Sequence, residues 1–446
     1  MNLKGAKVLV VGMKRTGMAA ASLLAREGAA VRATDLKPLE TLPGARESIE
    51  RLGIPFETQS PGVFEGCDAI VISPDVPADL PELEAARQRG VRVIGDLELA
   101  APFLEGRTIG VTGSNGKTTT TTLIGHILRD SGVAAQVGGN IGTPVCAMVE
   151  TSREGMWNVL ELSSFQLETI DTFHADIGVV LNLTQNHLDR HHTMERYAAA
   201  KARLIETQQG GDTAVLNADD AWCFALGMRR PAQARWFSLV MHPEAGARVQ
   251  GDHVLLDGSP LLRLAEIPIR GWHNVQNVMA AALVASRVGV SRQAIAAAVR
   301  TFRAVEHRLE FVRTLGGVDF YNDSKATSVD AALKALDAFE GGLWVILGGK
   351  DKGSDYTPLR DPLARKAHAA LLIGAAAGKI AGQLHGAASL VDAGTLDAAL
   401  AHAWKHARPG DTVLLAPACA SFDQFDSFEH RGETFKKLVG ELRQGA

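Results

Sequence analysis

The sequence predicts an α/β protein of three domains, each built around a parallel sheet. Three observations carry this. Short apolar runs ending in glycine or an acid recur along the chain. The segments between them are Ala/Leu-rich and helical in pattern. And 446 residues suffice for two to four domains. The first run is Lys7-Val8-Leu9-Val10-Val11-Gly12, which leads into a helical stretch to about Gly28. Val31 to Asp35 reads as the next strand, Ala69 to Pro74 as a buried strand with a turn, and Val91 to Gly95 as one more. Strand and helix in alternation give a parallel sheet, so residues 1–95 form a Rossmann-like N-terminal domain.

A second domain, residues 96–304, opens with the strand Thr108 to Thr112 and a glycine-rich turn. Strands follow at Asn158 to Glu161 and Ile177 to Leu183. The short β-like pieces from Gly210 to about Arg270 read as an antiparallel flank on the parallel sheet. A helix from about Asn274 to Val288 closes the unit, and Ser291 is placed to cap the next helix. The third domain, residues 305–446, has strands at Val318 to Asn322, Leu343 to Leu347, Ala370 to Ile373 and Thr412 to Leu415. With helices between them, it reads as a second Rossmann-like unit.

Composition narrows the function. Hydrophobic residues make up 46% and charged residues 22%, the balance of a soluble globular protein. The formal net charge is −4 and no stretch is strongly basic, which argues against nucleic acid as a partner. Cys67, Cys146, Cys223 and Cys419 lie far apart without a C-x-x-C pair, so reduced thiols are expected rather than a zinc site or disulfides. The start lacks the pattern of a signal peptide, and no apolar run reaches the ~18–20 residues of a membrane span. The expectation is a cytoplasmic protein without membrane insertion.

The most informative stretch is Gly110-Val111-Thr112-Gly113-Ser114-Asn115-Gly116-Lys117-Thr118-Thr119. It joins a predicted strand to a helix, so backbone N–H groups and a helix N-terminus converge where phosphate oxygens can sit. Lys117 would supply charge to the β/γ-phosphates and Thr118 a hydroxyl to Mg²⁺. Val111 stands where a strict G-x-x-x-x-G-K-[ST] loop has its first glycine. In the first domain, Gly12-Met13-Lys14-Arg15-Thr16-Gly17 departs from G-x-G-x-x-G. Lys14 replaces the middle glycine, which speaks against NAD.

The run Thr112 to Thr119 resembles the variant phosphate loop of the Mur ligase and folylpolyglutamate synthetase superfamily, an ATP-binding loop. Further motifs follow in that family's order: Glu161 to Leu167, Asn182 to His191, Tyr197 to Arg203, and Gly271 to Ala280. Taken bare, Glu161 could be an acid favoured at a helix start. His187 could be structural and Lys201 a solvated charge. The resemblance implies instead that Glu161, His187 and a carbamylated Lys201 join Thr118 in holding Mg²⁺, two ions being expected. It implies that Gly113, Ser114, Asn115, Gly116, Lys117, Thr118 and Thr119 bind ATP, with Asn277 at the adenine. A carbamate has a chemical motive, because a bare ammonium beside Mg²⁺ would be repelled.

In the third domain, Glu306-His307-Arg308-Leu309-Glu310 and Tyr321-Asn322-Asp323-Ser324-Lys325-Ala326-Thr327 continue the resemblance. It implies that Arg308 and Asp323 contact ATP and that Lys325 sits near the transferring phosphate. Lys117, His187, Lys201 and Lys325 are thus the implied catalytic set. The wording N-D-S-K-A-T, with Leu347 to Gly353 and Pro417 to Phe425, resembles the branch of Mur ligases that adds D-glutamate to UDP-N-acetylmuramoyl-L-alanine through an acyl phosphate. By matching position, Thr327, Lys352, Ser421 and Phe428 hold D-glutamate, whose two carboxylates need a cation and hydroxyl or amide donors.

The first domain resembles the family's uracil-nucleotide domain. Arg15, Thr16, Asp35, Lys37, Ser73, Asn140 and His187 are the implied contacts to the UDP substrate. Asp75 stands where that family usually has glycine, and puts an extra negative charge near a diphosphate. A monomer is expected. Two alternatives stay open: a superfamily ligase for another amino acid or a folate, and a phosphate-loop NTPase module without ligase chemistry. A Rossmann oxidoreductase is a weaker third, disfavoured by Lys14 and the second phosphate loop.

Overall fold

The computed structural model describes residues 3–42, 44–229, 233–240, 242, 245–303 and 305–443. The chain divides into two compact units, Met1–Leu264 with Gln276–Val299, and Ala265–Val275 with Arg300–Ala446.

The first unit holds two sheets. One comprises β1 (Lys7–Val11), β2 (Ala30–Asp35), β3 (Phe56–Thr58), β4 (Ala69–Ile72) and β5 (Arg92–Gly95), in the order β3-β2-β1-β4-β5. All its pairings are parallel. The order reverses between β1 and β4, and ligands bind beyond the strand ends at such a switch point. The loop after β1 is therefore the expected place for a nucleotide. Gly17 is required there, since a Cβ would stand 1.8 Å from the Gly12 carbonyl oxygen.

The second sheet contains β6 (Arg107–Thr112), β7 (Ala135–Gly139), β8 (Trp157–Glu161), β9 (Ile177–Val180), β10 (Thr213–Asn217), β11 (Gln233–Ser238), β12 (Ala245–Gln250), β13 (His253–Leu256) and β14 (Ser259–Arg263). Its order is β14-β13-β12-β11-β10-β9-β6-β8-β7. The antiparallel flank is narrower than the sequence suggests. Only β12 to β14 pair antiparallel, whereas β10 runs parallel to β9 and β11 parallel to β10. The helices Met194–Glu206 and Ala221–Met228 supply those two crossovers. Strand β6 lies between β8 and β9, with Ile109 and Val111 fully buried. Its end is therefore fixed from both sides, and the phosphate loop grows from that end.

The second unit carries β15 (Glu310–Leu315), β16 (Val318–Asn322), β17 (Leu343–Gly348), β18 (Ala367–Ile373), β19 (Ser389–Gly394) and β20 (Thr412–Leu415), ordered β15-β16-β20-β17-β18-β19. Only β15 pairs antiparallel. Central β17 and β20 are almost continuously apolar and buried, as a sheet covered on both faces demands. The helix expected from about Asn274 spans Trp272–Val288, and Ser291 accepts the Ala294 amide as its cap. No helix among the described residues is long and apolar enough to cross a membrane.

Candidate active site

The loop Gly113–Gly116 leads directly into the helix Lys117–Asp130. Gly116 has φ 82°, and a Cβ there would stand 2.4 Å from Asn277 Oδ1. Glycine is thus required both by backbone conformation and by the close approach of the Asn277 carboxamide. Asn115 N–H donates to Asn182 Oδ1 at 2.9 Å, and Ser114 Oγ lies 2.9 Å from the Tyr197 hydroxyl. The Lys117 ammonium caps the Gly113 and Ser114 carbonyls at 3.0 and 3.1 Å. It therefore lies over the loop that leads into the helix N-terminus, where an anion is favoured.

Glu161, at the end of β8, is buried. Its Oε2 accepts from Thr118 Oγ1 at 2.7 Å and its Oε1 from Asn140 Nδ2 at 3.0 Å. The buried Glu161 carboxylate and Thr118 hydroxyl, with the amide oxygen of exposed Asn140 beside them, are the hard donors Mg²⁺ takes, so these residues fit that ion. Asn140 has a second allegiance, because it also lines a cavity beside the β1 loop of the first domain.

Lys201 is not a solvated charge. It lies fully buried on the helix Met194–Glu206, with Nζ 3.1 Å from Thr112 Oγ1 and 5.0 Å from the centre of the Tyr197 ring. Loss of water, and then the nearby Lys117 charge, push its proton affinity well below that of an ordinary lysine, against a weaker pull from Glu161. His187 caps the short helix Leu188–His191 with φ 54° and packs edge-on against Phe165, ring centres 5.0 Å apart. Among the described residues, the close triad of metal-ligand side chains lies elsewhere, at Glu306, His307 and Glu433. The Lys436 ammonium pairs with both of those glutamates and offsets part of their charge.

A cavity of about 360 Å³ opens beside the β1 loop. Thr16, Asp35, Lys37, Ser73 and Asn140 all line it; Arg15 and His187 do not. Arg15 donates to the Gly142 carbonyl instead. Asp35 is held by its own neighbours, accepting from Met13 N–H at 2.7 Å and Lys37 N–H at 3.0 Å. Leu36, 75% exposed, adds an apolar wall of the kind a flat base would cover.

In the second unit, Asp323 receives the Leu309 amide at 3.2 Å. Burial pushes its carboxyl up to about 6, against the pull of the Arg308 guanidinium. Arg308 sits between His307 (φ 62°) and Leu309 (φ 43°), both in the left-handed region that non-glycine residues rarely adopt. Lys325 Nζ lies 5.2 Å from the centre of the Phe428 ring. Thr327 precedes the Ser328 cap of the helix Val329–Asp337, Ser421 is buried, and Lys352 is exposed.

Two residues that the sequence did not single out knit this region together. Arg431, fully buried, donates to Ser324 Oγ at 3.0 Å, Ser324 O at 2.8 Å and Cys419 O at 3.2 Å. It ties the Asn322–Ser328 segment to the loop that carries Ser421. The Tyr356 hydroxyl donates to Asp351 at 2.9 Å and lies 3.0 Å from Cys419 Sγ, which fixes the loop preceding Lys352. Neither residue belongs to a contiguous motif, so spacing gave no signal for them.

Three family models match the chain. They are the N-terminal domain of the MurD-like Mur ligases over residues 6–95, the Mur ligase middle domain over 111–285, and the Mur ligase glutamate ligase domain over 307–419. A protein of Solibacter usitatus named UDP-N-acetylmuramoylalanine–D-glutamate ligase is 69% identical over 442 residues, with 99% of each chain covered. One of the same name from Acidobacterium capsulatum is 51% identical, covering 98% of this chain and 97% of its own. Among solved structures, the UDP-N-acetylmuramate-alanine ligase MurC of Thermotoga maritima superposes with a TM-score of 0.63 at 18% identity, over 98% of this chain and 100% of that one. That likeness speaks for the fold.

Proposed function

The chain belongs to the Mur ligase family, and on that premise we propose that it joins D-glutamate to UDP-N-acetylmuramoyl-L-alanine at the expense of ATP. It does so as a cytoplasmic monomer, in the synthesis of a peptidoglycan precursor. The observation that carries this reading is the near-full-length match, at 69% identity, to a relative bearing that name. Residues 1–95 take the UDP substrate, 96–304 take ATP, and 305–446 take the amino acid.

The reaction proceeds in two steps. An oxygen of the alanine carboxylate attacks the γ-phosphorus of ATP, and ADP leaves as the acyl phosphate forms. The amine of D-glutamate then attacks the acyl carbon; the amide bond forms, the nitrogen loses a proton and inorganic phosphate departs. The first step brings anion to anion, so cationic and N–H groups must offset the charge. Lys117, with the loop and helix start from Gly113 to Thr119, does this at the phosphates, Asn277 holds the adenine, and Arg308, Asp323 and Lys325 complete the ATP and phosphoryl contacts. Mg²⁺, two ions held by Thr118, Glu161, His187 and Lys201, would supply further neutralisation of phosphate charge when bound. Lys201 enters as its carbamate: its neutral amine adds to CO₂, an N–C bond forms and a proton leaves. The low proton affinity of the buried amine favours that addition. Thr327, Lys352, Ser421 and Phe428 receive D-glutamate.

Phosphate release from ATP and Mg²⁺, measured with UDP-N-acetylmuramoyl-L-alanine and a panel of amino acids, tests this. Turnover only with D-glutamate is expected. Release indifferent to both co-substrates would overturn it in favour of an NTPase module.

A further inference from the structure

Two residues depart from the fingerprints of the first domain, Lys14 in the β1 loop and Asp75 in the loop after β4, and the fold pairs them with each other. Lys14 Nζ and Asp75 Oδ2 stand 2.7 Å apart with their side chains 67% and 68% exposed, and both residues line the cavity that also holds Thr16, Asp35 and Ser73. Lys14 occupies the N-cap of the helix Arg15–Arg26, whose free N–H groups already favour an anion.

The Asp75 carboxylate is carried on a fixed loop. Ser73 Oγ donates to the Gly12 carbonyl at 2.7 Å, and Val76 N–H donates to the Ser73 carbonyl at 2.9 Å. From the middle domain, Arg190 donates to the Val76 carbonyl at 2.7 Å and to the Pro74 carbonyl at 3.4 Å. Arg190 is itself held by Glu168 at 2.7 Å and by the Phe165 ring, 4.5 Å from the guanidinium carbon. With Pro74 and Val76 anchored on either side, Asp75 stays at the cavity edge while its lysine partner, on a long flexible stem, can turn.

We propose that Asp75 is an internal counter-anion that holds Lys14 at the mouth of the nucleotide cavity, and that the diphosphate of the substrate competes with Asp75 for that lysine. The inference rests on the uracil-nucleotide reading of this cavity and adds to it a residue pair that sets diphosphate affinity. An exposed ion pair is weak, so a ligand carrying more than one charge can take the lysine over. The Asp75 carboxylate held nearby competes for the ammonium that the diphosphate needs. Removing it tightens binding, and the gain depends on Lys14 being present.

The test is a double-mutant cycle on the full chain, with UDP as the probe and calorimetry as the readout. Asp75→Asn is expected to tighten UDP binding by about three-fold, the order of an exposed ion pair that the diphosphate no longer has to displace. Lys14→Met is expected to weaken it, and in the Lys14→Met background Asp75→Asn is expected to lose most of its effect. Uridine, which carries no phosphate, should bind all four proteins alike. An unchanged or weakened affinity in Asp75→Asn, or equal gains with and without Lys14, would overturn the pairing while leaving the cavity assignment standing. Failure of the unmodified chain to bind UDP would overturn both.

Discussion

The phosphate-loop region of the first unit and the Asp323–Phe428 region of the second use buried cations in opposite ways. Lys201 is buried, and loss of water, then the nearby Lys117 charge, push its proton affinity well below that of an ordinary lysine. Arg431 is as deeply buried, yet burial brings it down only to about 10, so it stays charged at neutral pH. Its fork is bonded to Ser324, Cys419 and Ala420, which makes it scaffold. The cation proposed to meet the D-glutamate carboxylate is Lys352, which is exposed. Burial beside another cation disfavours the charged form of the lysine, whereas the buried arginine keeps its charge and uses its donors to hold geometry.

The strongest way to break that contrast is to remove the buried lysine. Lys201→Met is expected to lower kcat for phosphate release by ~10²–10³-fold, the range seen when a group that offsets transition-state charge is lost. Its melting temperature should hold or rise, because a costly buried amine is replaced by an apolar chain of similar length. A fall in melting temperature with activity retained would make Lys201 structural. Lys352→Ala is expected to raise the KM for D-glutamate by ~10–100-fold, the worth of one charge-assisted hydrogen bond. The KM for ATP should not move; steady-state kinetics against each substrate in turn separate the two.

A smaller effect sharpens the scaffold side. Asp351 is held down to about 2, first by its hydrogen bond from Lys379, with the Tyr356 hydroxyl and the Ser354 amide adding to it. Tyr356→Phe removes the hydroxyl alone and is expected to cost ~1 kcal/mol in unfolding free energy. A few-fold rise in the KM for D-glutamate should accompany it, with kcat unaltered, read by urea unfolding and the same kinetic series. An effect on pH dependence rather than on turnover is expected at Asp96, whose carboxyl burial pushes up to about 6 despite the Gln166 amide donating to it at 3.1 Å. The folded state then holds a proton that the unfolded chain releases near 3.9. That contribution to stability is complete below about 4 and is lost as pH rises through about 6. Asp96→Asn should flatten this fall in denaturation midpoints taken from pH 4 to 7. An unchanged slope would place the titration elsewhere.

The phosphate loop was legible because its parts are contiguous, so the run Gly113 to Thr119 states its chemistry without the fold. Glu161 was readable only through resemblance, since its partners Thr118 and Asn140 come from other segments. Asn140 was read as a nucleotide contact alone, though its amide also donates to the Glu161 carboxylate. The i, i+4 spacing of Tyr197 and Lys201 put both on one face of a helix, yet an alanine-rich helix looks the same whether its lysine faces water or a sheet end. Edge strands β3 and β7 escaped notice because short, half-exposed segments lack a continuous apolar run. Arg431 and Tyr356 act through burial, which sequence spacing does not encode.

Oxygen transfer tests the proposed reaction most directly. UDP-N-acetylmuramoyl-L-alanine labelled with ¹⁸O in the alanine carboxylate is turned over with ATP, Mg²⁺ and D-glutamate, and the released phosphate is weighed by mass spectrometry. If the carboxylate is itself phosphorylated, each phosphate carries one ¹⁸O from the substrate. Phosphate without that label, its new oxygen drawn from water, would contradict the ligase reading and leave the loop a site of ATP hydrolysis.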